Sequence, residues 1–214
     1  MNNYMNLIGK RARKASQYKI DTKVKNSVLA SYAKMLDENK GLIIKENTKD
    51  INYAKKIGLK ENLINRLHLN EKKINDIRNS IISIIKFKDP INHVLEKWKR
   101  PNGLNISRVS IPIGVIGVIY ESRPNVTSDV AGLCFKSGNA VILRGGSEAI
   151  NSNRILSKLF RKALKKNKVD ENFIQFIDSK NRKMVDVMLS KMKEYIDVII
   201  PRGGKNLVRK VQEL

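Results

Sequence analysis

Hydrophobic residues in the first ninety positions recur every three or four residues, which is the spacing of helices that bury one face. The pattern predicts a first helix near residues 7–18 and three more after it. The residues on the predicted buried faces of these four helices are Leu7, Ile8, Ala15 and Tyr18; Val24, Val28, Tyr32 and Leu36; Ile43, Ile44, Asn47, Ile51 and Ala54; and Ile74, Ile77, Ile81, Ile84 and Ile85. Because Pro90 disfavours helical backbone at Asp89, the last helix should end before it. Residues 1–92 are therefore predicted to form a helical region.

The hydrophobic period changes to two between His93 and Ser110. Two alternating segments flank residues 100–103, which contain a proline, an asparagine and a glycine and are typical of a turn. Residues 93–110 are therefore predicted to form a β-hairpin arm. Because an isolated hairpin is marginally stable in water, it should lie against another element or another subunit. Trp98 is either an anchor of such an interface or an ordinary packing residue.

From Ile113 onward, buried strands alternate with amphipathic helices. Strands are predicted at IGVIGVI, NAVIL, FIQFI and YIDVII, with helices between them and after the last. This alternation predicts an α/β fold with a doubly wound, Rossmann-like parallel sheet in residues 111–214. Ligands of such sheets bind beyond the carboxyl ends of the strands. The candidate sites are therefore the strand-to-helix turns at residues 121–127, 144–148 and 201–204.

The composition limits the class of protein. The chain has 214 residues, of which 41% are hydrophobic and 29% are charged, as expected for a soluble globular protein. No apolar run is long enough to span a bilayer, which argues against an integral membrane protein. The single cysteine, Cys134, excludes an internal disulfide and a multi-cysteine zinc site, so a cytoplasmic location is expected.

The formal net charge of +23 raises the question of nucleic-acid binding. The lysines are scattered along the whole chain, and the aromatic residues do not interleave with them as they do on a base-stacking surface. The sequence also has no helix-turn-helix or zinc-finger pattern. We therefore expect weak, salt-sensitive attraction to phosphate polymers and no specific nucleic-acid recognition.

The first candidate turn contains Arg123, Pro124 and Asn125. Because Pro124 disfavours helix at the residue before it, the next helix should begin near Asn125. At that position the side-chain amide could cap the helix, or it could donate a hydrogen bond to an oxyanion that develops during acyl or hydride transfer. Spacing alone leaves both interpretations open.

The other two turns each contain an arginine followed by two glycines. An arginine matches the paired oxygens of a phosphate, and glycines let backbone N–H groups approach a pyrophosphate closely. No acid stands at Ser147 to repel the additional phosphate of NADP, although Glu148 is adjacent. A structural turn with a solvated Arg144 is the competing interpretation, because neither turn has the spacing of a dinucleotide-binding fingerprint or a P-loop. The two turns consist of Arg144, Gly145, Gly146 and Ser147, and of Arg202, Gly203 and Gly204.

Cys134 is not predicted to be a nucleophile. It is expected to share a helix face with Val130 and Leu133, and no histidine lies near it in the sequence, so a buried structural thiol is expected. His68 and His93 lack the spacing of metal ligands, and no metal site is predicted.

Two segments, PIGVIGVIYESRPNVTSDVAGLCFKSGNAVILRGGSEA and YIDVIIPRGG, together resemble the gamma-glutamyl phosphate reductase family of the aldehyde dehydrogenase superfamily. The resemblance extends from ARKAS through KENTKDI and GLKENLINRLHL to the last residue, and so covers almost the whole chain. YESRPNVT and NAVILRGG are specific to that family rather than to the superfamily.

The resemblance implies an NADPH-dependent reduction of L-glutamyl 5-phosphate to L-glutamate 5-semialdehyde and phosphate, in proline biosynthesis. Members of the family attack the acyl phosphate with a cysteine thiolate and reduce the resulting thioester by hydride transfer. By the same similarity, Asn125 corresponds to the oxyanion-hole asparagine and Arg144 to the basic residue at the adenosine end of the cofactor. The cofactor residues around them are Gly145, Gly146 and Ser147, then Arg202, Gly203 and Gly204 at the pyrophosphate turn. That Arg123 binds the carboxylate or phosphate of the substrate is our own hypothesis.

The nucleophilic cysteine of the family lies downstream of the residues matched here, in a second domain, and Cys134 matches a non-catalytic helix position. We therefore expect an amino-terminal portion of the enzyme, inactive alone, with the catalytic domain absent and the parallel sheet and hairpin arm incomplete relative to the family. The full-length form is expected to be a homo-oligomer. Two alternatives are a non-catalytic remnant that acts as an interaction module and a basic nucleic-acid-binding protein.

Overall fold

The computed structural model describes residues 2–212 and confirms the predicted α/β class. The helices are α1 (Asn2–Ser16), α2 (Thr22–Glu38), α3 (Lys40–Lys56), α4 (Glu61–Leu67), α5 (Glu71–Lys86), α6 (Asn125–Lys136), α7 (Ile150–Lys166), α8 (Lys183–Lys191) and α9 (Lys205–Gln212). The strands are β1 (Val94–Lys99), β2 (Asn105–Val109), β3 (Val115–Tyr120), β4 (Ala140–Arg144), β5 (Ile174–Phe176) and β6 (Val198–Arg202). Of these elements, α4 was not predicted. Within the described residues, no helix combines the length and apolar character needed to cross a membrane.

Four strands form one parallel sheet in the order β5, β4, β3, β6. Along the chain, β4 pairs beside β3 and β5 pairs beside β4, so the sheet extends in one direction. The next strand, β6, then pairs with the opposite side of β3. This reversal of direction is the arrangement of a doubly wound sheet, and ligands of such sheets bind where the direction reverses. β3 and β4 are buried at every residue, whereas β6 lies at an edge of the sheet and alternates between exposed and half-buried residues.

Helices cover both faces of this sheet. α6 connects β3 to β4, α7 connects β4 to β5, and the two helices pack against each other. Because such connections are right-handed, α8, which crosses in the opposite direction, lies on the other face, where α1 packs against it. The helices α2, α3 and α5 form an outer layer over α6 and α7. The helical region and the sheet therefore share one apolar core.

Aromatic residues join the layers of this core. The ring centroids of Tyr32 and Phe160 are 4.4 Å apart, and those of Phe135 and Phe173 are 5.6 Å apart in an edge-to-face arrangement. These side chains come from α2, α7, α6 and the turn before β5. The outer helices are therefore attached to the sheet by direct packing through the middle layer.

The buried face of α1 differs from the predicted one. Ile8 and Ala15 are buried as predicted, whereas Leu7 and Tyr18 are 46% and 55% exposed. Leu7 is turned about 100° away from Ile8 on the helix, and Tyr18 lies beyond the last helical residue. The buried face continues instead through Met5.

The predicted hairpin is present as β1 and β2, with Trp98 opposite Ile106. Every residue of β1 is exposed, and Ile106 is the half-buried residue of β2. Leu95 and Trp98 are 60% and 40% exposed. Among the described strands, β1 and β2 pair only with each other, so no further strand of this part of the chain extends the hairpin. A contact with another subunit stays a prediction.

A buried carboxylate positions the start of α7. Asp50 of α3 is 1% exposed and accepts four hydrogen bonds of 2.7–3.1 Å from the backbone and side chains of Asn151 and Ser152. The backbone donors belong to the first turn of α7, where N–H groups have no partner within the helix. Burial raises the pKa of Asp50, and these hydrogen bonds oppose that shift. Asn47 adds a hydrogen bond of 3.0 Å to Ser152 Oγ, so α3 holds α7 directly behind the turn at 144–148.

Replacing Asp50 with alanine should lower the free energy of unfolding by about 2 kcal/mol or more, because buried N–H groups lose their acceptor. The matched control is Asp37→Ala, since Asp37 is an exposed residue that pairs with Lys40 on the surface. This control should change stability little. Chemical denaturation of both variants gives the comparison, and equal losses would show that Asp50 does not act as the cap of α7.

Candidate functional site

The three predicted turns meet at one edge of the sheet. Because β3, β4 and β6 are adjacent and parallel, the residues that follow them emerge side by side. Three clefts open there, and we name each by one residue. The Arg144 cleft has a volume of about 500 Å³, the Gly203 cleft about 470 Å³ and the Asn125 cleft about 560 Å³.

The three clefts adjoin one another. The Arg144 and Gly203 clefts share Leu63, Glu121 and Ser122, and the Gly203 and Asn125 clefts share Arg66 and Arg123. All the candidate residues line this continuous edge. They are Arg144, Gly145, Gly146 and Ser147 in the first cleft, Arg123, Arg202, Gly203 and Gly204 in the second, and Arg123 and Asn125 in the third.

Arg144 is the last residue of β4, and its side chain is buried. It is 5% exposed, so the interpretation of a solvated turn arginine is wrong. One guanidinium nitrogen, Nη1, donates to the carbonyl of Gly145, whereas Nε is buried with no partner among the described residues. Burial lowers the pKa of Arg144, and the nearby carboxylate of Glu148 opposes this shift. The guanidinium therefore has unused donor capacity at the wall of the cleft.

Gly145 has no room for a side chain. A Cβ atom at this position would lie 2.9 Å from the ring of Tyr120 and would overlap the side chain of Asn153. Thr127 Oγ1 fixes both neighbours, because it donates a hydrogen bond of 2.9 Å to Asn153 Oδ1 and shares one of 2.6 Å with the Tyr120 hydroxyl. The turn can therefore lie this close to the sheet only because residue 145 is a glycine.

Glu148 brings a carboxylate into the Arg144 cleft. Its Oε1 accepts hydrogen bonds from the N–H of Ser122 at 3.0 Å and from Ser122 Oγ at 2.5 Å, and its Oε2 lies 3.5 Å from Ser147 Oγ. Ser122 has a φ of 27°, a conformation that is strained for a residue with a side chain. The carboxylate of Glu148 therefore stabilises the turn after β3 as well as its own turn.

A carboxylate also accepts a hydrogen bond from a backbone N–H group of the third turn. Glu121 Oε2 accepts a hydrogen bond of 3.0 Å from the N–H of Gly204, at the amino terminus of α9. A Cβ atom on Gly203 would lie 2.7 Å from Glu121 Cδ. Because free N–H groups at a helix amino terminus attract negative charge, this contact shows that the turn binds an anionic oxygen. Arg202 is exposed beside it.

Asn125 is the first residue of α6, and its side chain does not cap the helix. Its Nδ2 donates a hydrogen bond of 2.9 Å to Asp129 Oδ2, one helical turn further on, and Pro124 is the residue at the cap position. The capping interpretation is therefore wrong. The contact with Asp129 holds the amide in one orientation, and a second N–H of the same amide is left for another acceptor.

Cys134 lies on α6 and is 7% exposed, as expected for a structural thiol. Leu133 is 47% exposed, so it does not share the buried face that the sequence suggested. Burial raises the pKa of the Cys134 thiol to about 12. Because the thiolate is the nucleophilic form, this environment makes the cysteine inert.

Charged residues of the clefts that sequence analysis did not single out include Arg66, Asp129 and Arg182, and Glu121 lay in the first candidate turn without being given a role. Arg66 lies on α4, a seven-residue helix that is too short for periodicity to reveal. Asp129 could have been found from its spacing of four residues from Asn125. Arg182 follows β5, and the turn after a fourth parallel strand belongs at the same edge of the sheet.

No protein-family model matches the chain. Gamma-glutamyl phosphate reductase from Clostridium tetani is 46% identical over 213 residues, which are 99% of this chain and 50% of that protein. The corresponding protein from Halothermothrix orenii is 47% identical over 205 residues, which are 94% of this chain and 49% of that protein. The chain thus spans about half the length of the curated relatives it matches.

Solved structures agree with the sequence matches. The crystal structure of gamma-glutamyl phosphate reductase from Thermotoga maritima superposes with a TM-score of 0.93 at 40% identity, covering 96% of this chain and 50% of that one. The enzyme from Saccharomyces cerevisiae gives a TM-score of 0.89 at 32% identity, with coverages of 97% and 53%. A probable aldehyde dehydrogenase from Listeria monocytogenes gives 0.73 at 14% identity, covering 99% of this chain and 44% of that one, which shows a shared fold.

The fold is therefore that of the aldehyde dehydrogenase superfamily. Within this superfamily, sequence and structure agree that the chain is homologous to the amino-terminal portion of the gamma-glutamyl phosphate reductases. The resemblance noted from the YESRPNVT and NAVILRGG segments is thereby confirmed.

The Cys134 thiol should resist alkylation in the folded chain. With a pKa of about 12, roughly one thiol in ten thousand is a thiolate at pH 8, whereas an unfolded cysteine is substantially ionised. Labelling with iodoacetamide, followed by mass spectrometry, should be at least about a hundredfold slower than after unfolding in guanidinium chloride. Equal labelling rates in the two states would contradict the assignment of Cys134 as an inert structural thiol.

Proposed function

We propose that this chain forms the cofactor-binding part of an enzyme that reduces L-glutamyl 5-phosphate to L-glutamate 5-semialdehyde with NADPH, in proline biosynthesis. The observation that supports the proposal is the continuous edge formed by the Arg144, Gly203 and Asn125 clefts. The homologous proteins are named gamma-glutamyl phosphate reductases, and the chain matches about half of their length. A cytoplasmic location is part of the proposal and is consistent with the single unpaired cysteine.

NADPH would bind across the first two clefts. Arg144 and Ser147 would contact the adenosine end, where Arg144 Nε is buried with no partner among the described residues. The Gly203–Gly204 backbone would contact the pyrophosphate, because the Gly204 amide already binds a carboxylate oxygen. Gly145 and Gly146 would contact the cofactor from the Arg144 cleft, and Arg202 would contact it from the Gly203 cleft. When bound, the cofactor supplies the hydride.

In the third cleft, Asn125 would stabilise negative charge on the carbonyl oxygen of the substrate. An amide fixed before the reaction costs no reorganisation when that charge develops, and the hydrogen bond to Asp129 fixes it. Arg123 is exposed and lines both this cleft and the Gly203 cleft. In this proposal its guanidinium would bind the carboxylate or the phosphate of the substrate.

The thiolate of the reaction would come from outside residues 1–214. Cys134 is the single cysteine of the sequence, and it is buried with a raised pKa. We therefore propose that these residues alone bind the cofactor without turning over substrate. In the same proposal, residues 1–92 support the cofactor-binding unit, residues 93–110 form an oligomerisation arm and residues 111–214 bind NADPH. The exposed Leu95 and Trp98 support the role of the arm in a homo-oligomer.

The chain should bind NADPH, and Glu121→Ala should bind it about fivefold more tightly. The variant removes the carboxylate that competes with the pyrophosphate for the Gly204 amide, a difference of about 1 kcal/mol. Fluorescence titration with NADPH measures both dissociation constants. The matched control is Glu194→Ala, which removes another exposed carboxylate away from the three clefts.

Two outcomes of this titration would contradict the proposal. If neither the wild-type chain nor Glu121→Ala binds NADPH, the interaction-module alternative becomes the better interpretation. If Glu121→Ala and Glu194→Ala tighten binding equally, the gain reflects net charge and the pyrophosphate does not lie at Gly204. Consumption of NADPH by the isolated chain in the presence of L-glutamyl 5-phosphate would contradict an external nucleophile.

A further inference from the structure

Arg182 brings a second guanidinium to the Arg144 cleft. It stands directly before α8 and lines the cleft together with Arg144 and Ser147. It lies there because β5 is the neighbour of β4, so that the turn after β5 meets the same edge of the sheet. The side chain is exposed, and no carboxylate forms an ion pair with it in the part of the chain that the structure describes.

Two carboxylates line the same cleft, those of Glu148 and Glu121, and the Glu121 carboxylate accepts a hydrogen bond from the Gly204 N–H rather than from either guanidinium. The positive charge of Arg182 adds to the effect of burial, the larger cause, in lowering the pKa of Arg144. The carboxylate of Glu148 opposes the shift, but its Oε1 already accepts two hydrogen bonds from Ser122. Two like charges that face one cleft are stabilised by an anion with several oxygens, and a phosphate accepts hydrogen bonds from arginines in pairs.

We propose that Arg182 and Arg144 together bind a phosphate monoester in this cleft. The inference rests on the proposed function, in which the group is the 2′-phosphate that distinguishes NADPH from NADH. Apolar side chains of the same cleft offer a surface for the adenine ring, and Ser147 offers a hydroxyl to the phosphate. The apolar residues are Leu59, Leu63, Ile119, Val185 and Leu207. Arg182 would therefore determine the preference between the two cofactors.

Adenosine 2′,5′-bisphosphate and adenosine 5′-monophosphate test this assignment, because they differ only in the 2′-phosphate. Isothermal titration calorimetry should show that Arg182→Ala weakens binding of the bisphosphate about tenfold or more and binding of the monophosphate less than about threefold. The matched control is Lys183→Ala, which removes the neighbouring charge without altering a residue that lines the cleft. It should change both affinities little. Arg182→Gln serves as a second variant, and thermal melting checks that each protein is folded.

The outcomes separate this inference from the proposed function. If the wild-type chain binds the monophosphate as tightly as the bisphosphate, or if Arg182→Ala weakens both nucleotides equally, the 2′-phosphate assignment is wrong and the nucleotide site stands. If Arg182→Ala and Lys183→Ala have equal effects, the attraction is general charge and the inference is overturned. If the wild-type chain binds neither nucleotide, both the inference and the proposed cofactor site are overturned.

Discussion

The parallel pairing of β3 with both β4 and β6 determines where the rest of the site lies. In this register Ile119 is opposite Arg144, and Tyr120 is opposite Arg202. Because β3 and β4 are buried at every residue, a shift of either strand would disturb the packing on both faces of the sheet. The relative positions of the turns are therefore set by the buried residues of these strands, most of which do not line the clefts. The chemistry of the edge depends on the core beneath it.

The edge is less positive than the net charge of the chain suggests. Glu148 and Glu121 each direct a carboxylate into a cleft, where they accept hydrogen bonds from Ser122 and Gly204. An anionic ligand at the Gly204 amide has to displace one of these carboxylates. Local pairing of this kind, rather than the total of +23, decides where an anion can bind.

The elements of the fold were predictable because their hydrophobic patterns are long. The stripe from Ile74 to Ile84 spans most of α5, whereas α4 has seven residues and left no clear period. The candidate turns were predictable from strand-to-helix alternation, and Asp129 could have been found from its spacing of four residues from Asn125. The contact between Glu121 and Gly204 was not, because it joins residues 83 positions apart and depends on the pairing of β3 with β6. No local pattern in a sequence records such a contact.

The open side of β6 has a consequence for the size of the binding edge. Among the described strands, β6 pairs with β3 alone, and Val198 and Ile200 are 39% and 46% exposed. Its outer backbone groups can hydrogen-bond to water or to one more strand. A parallel strand added there would bring its own following turn next to Gly203. The edge of the sheet at which the clefts open can thus gain one more turn without any movement of the residues that already line it.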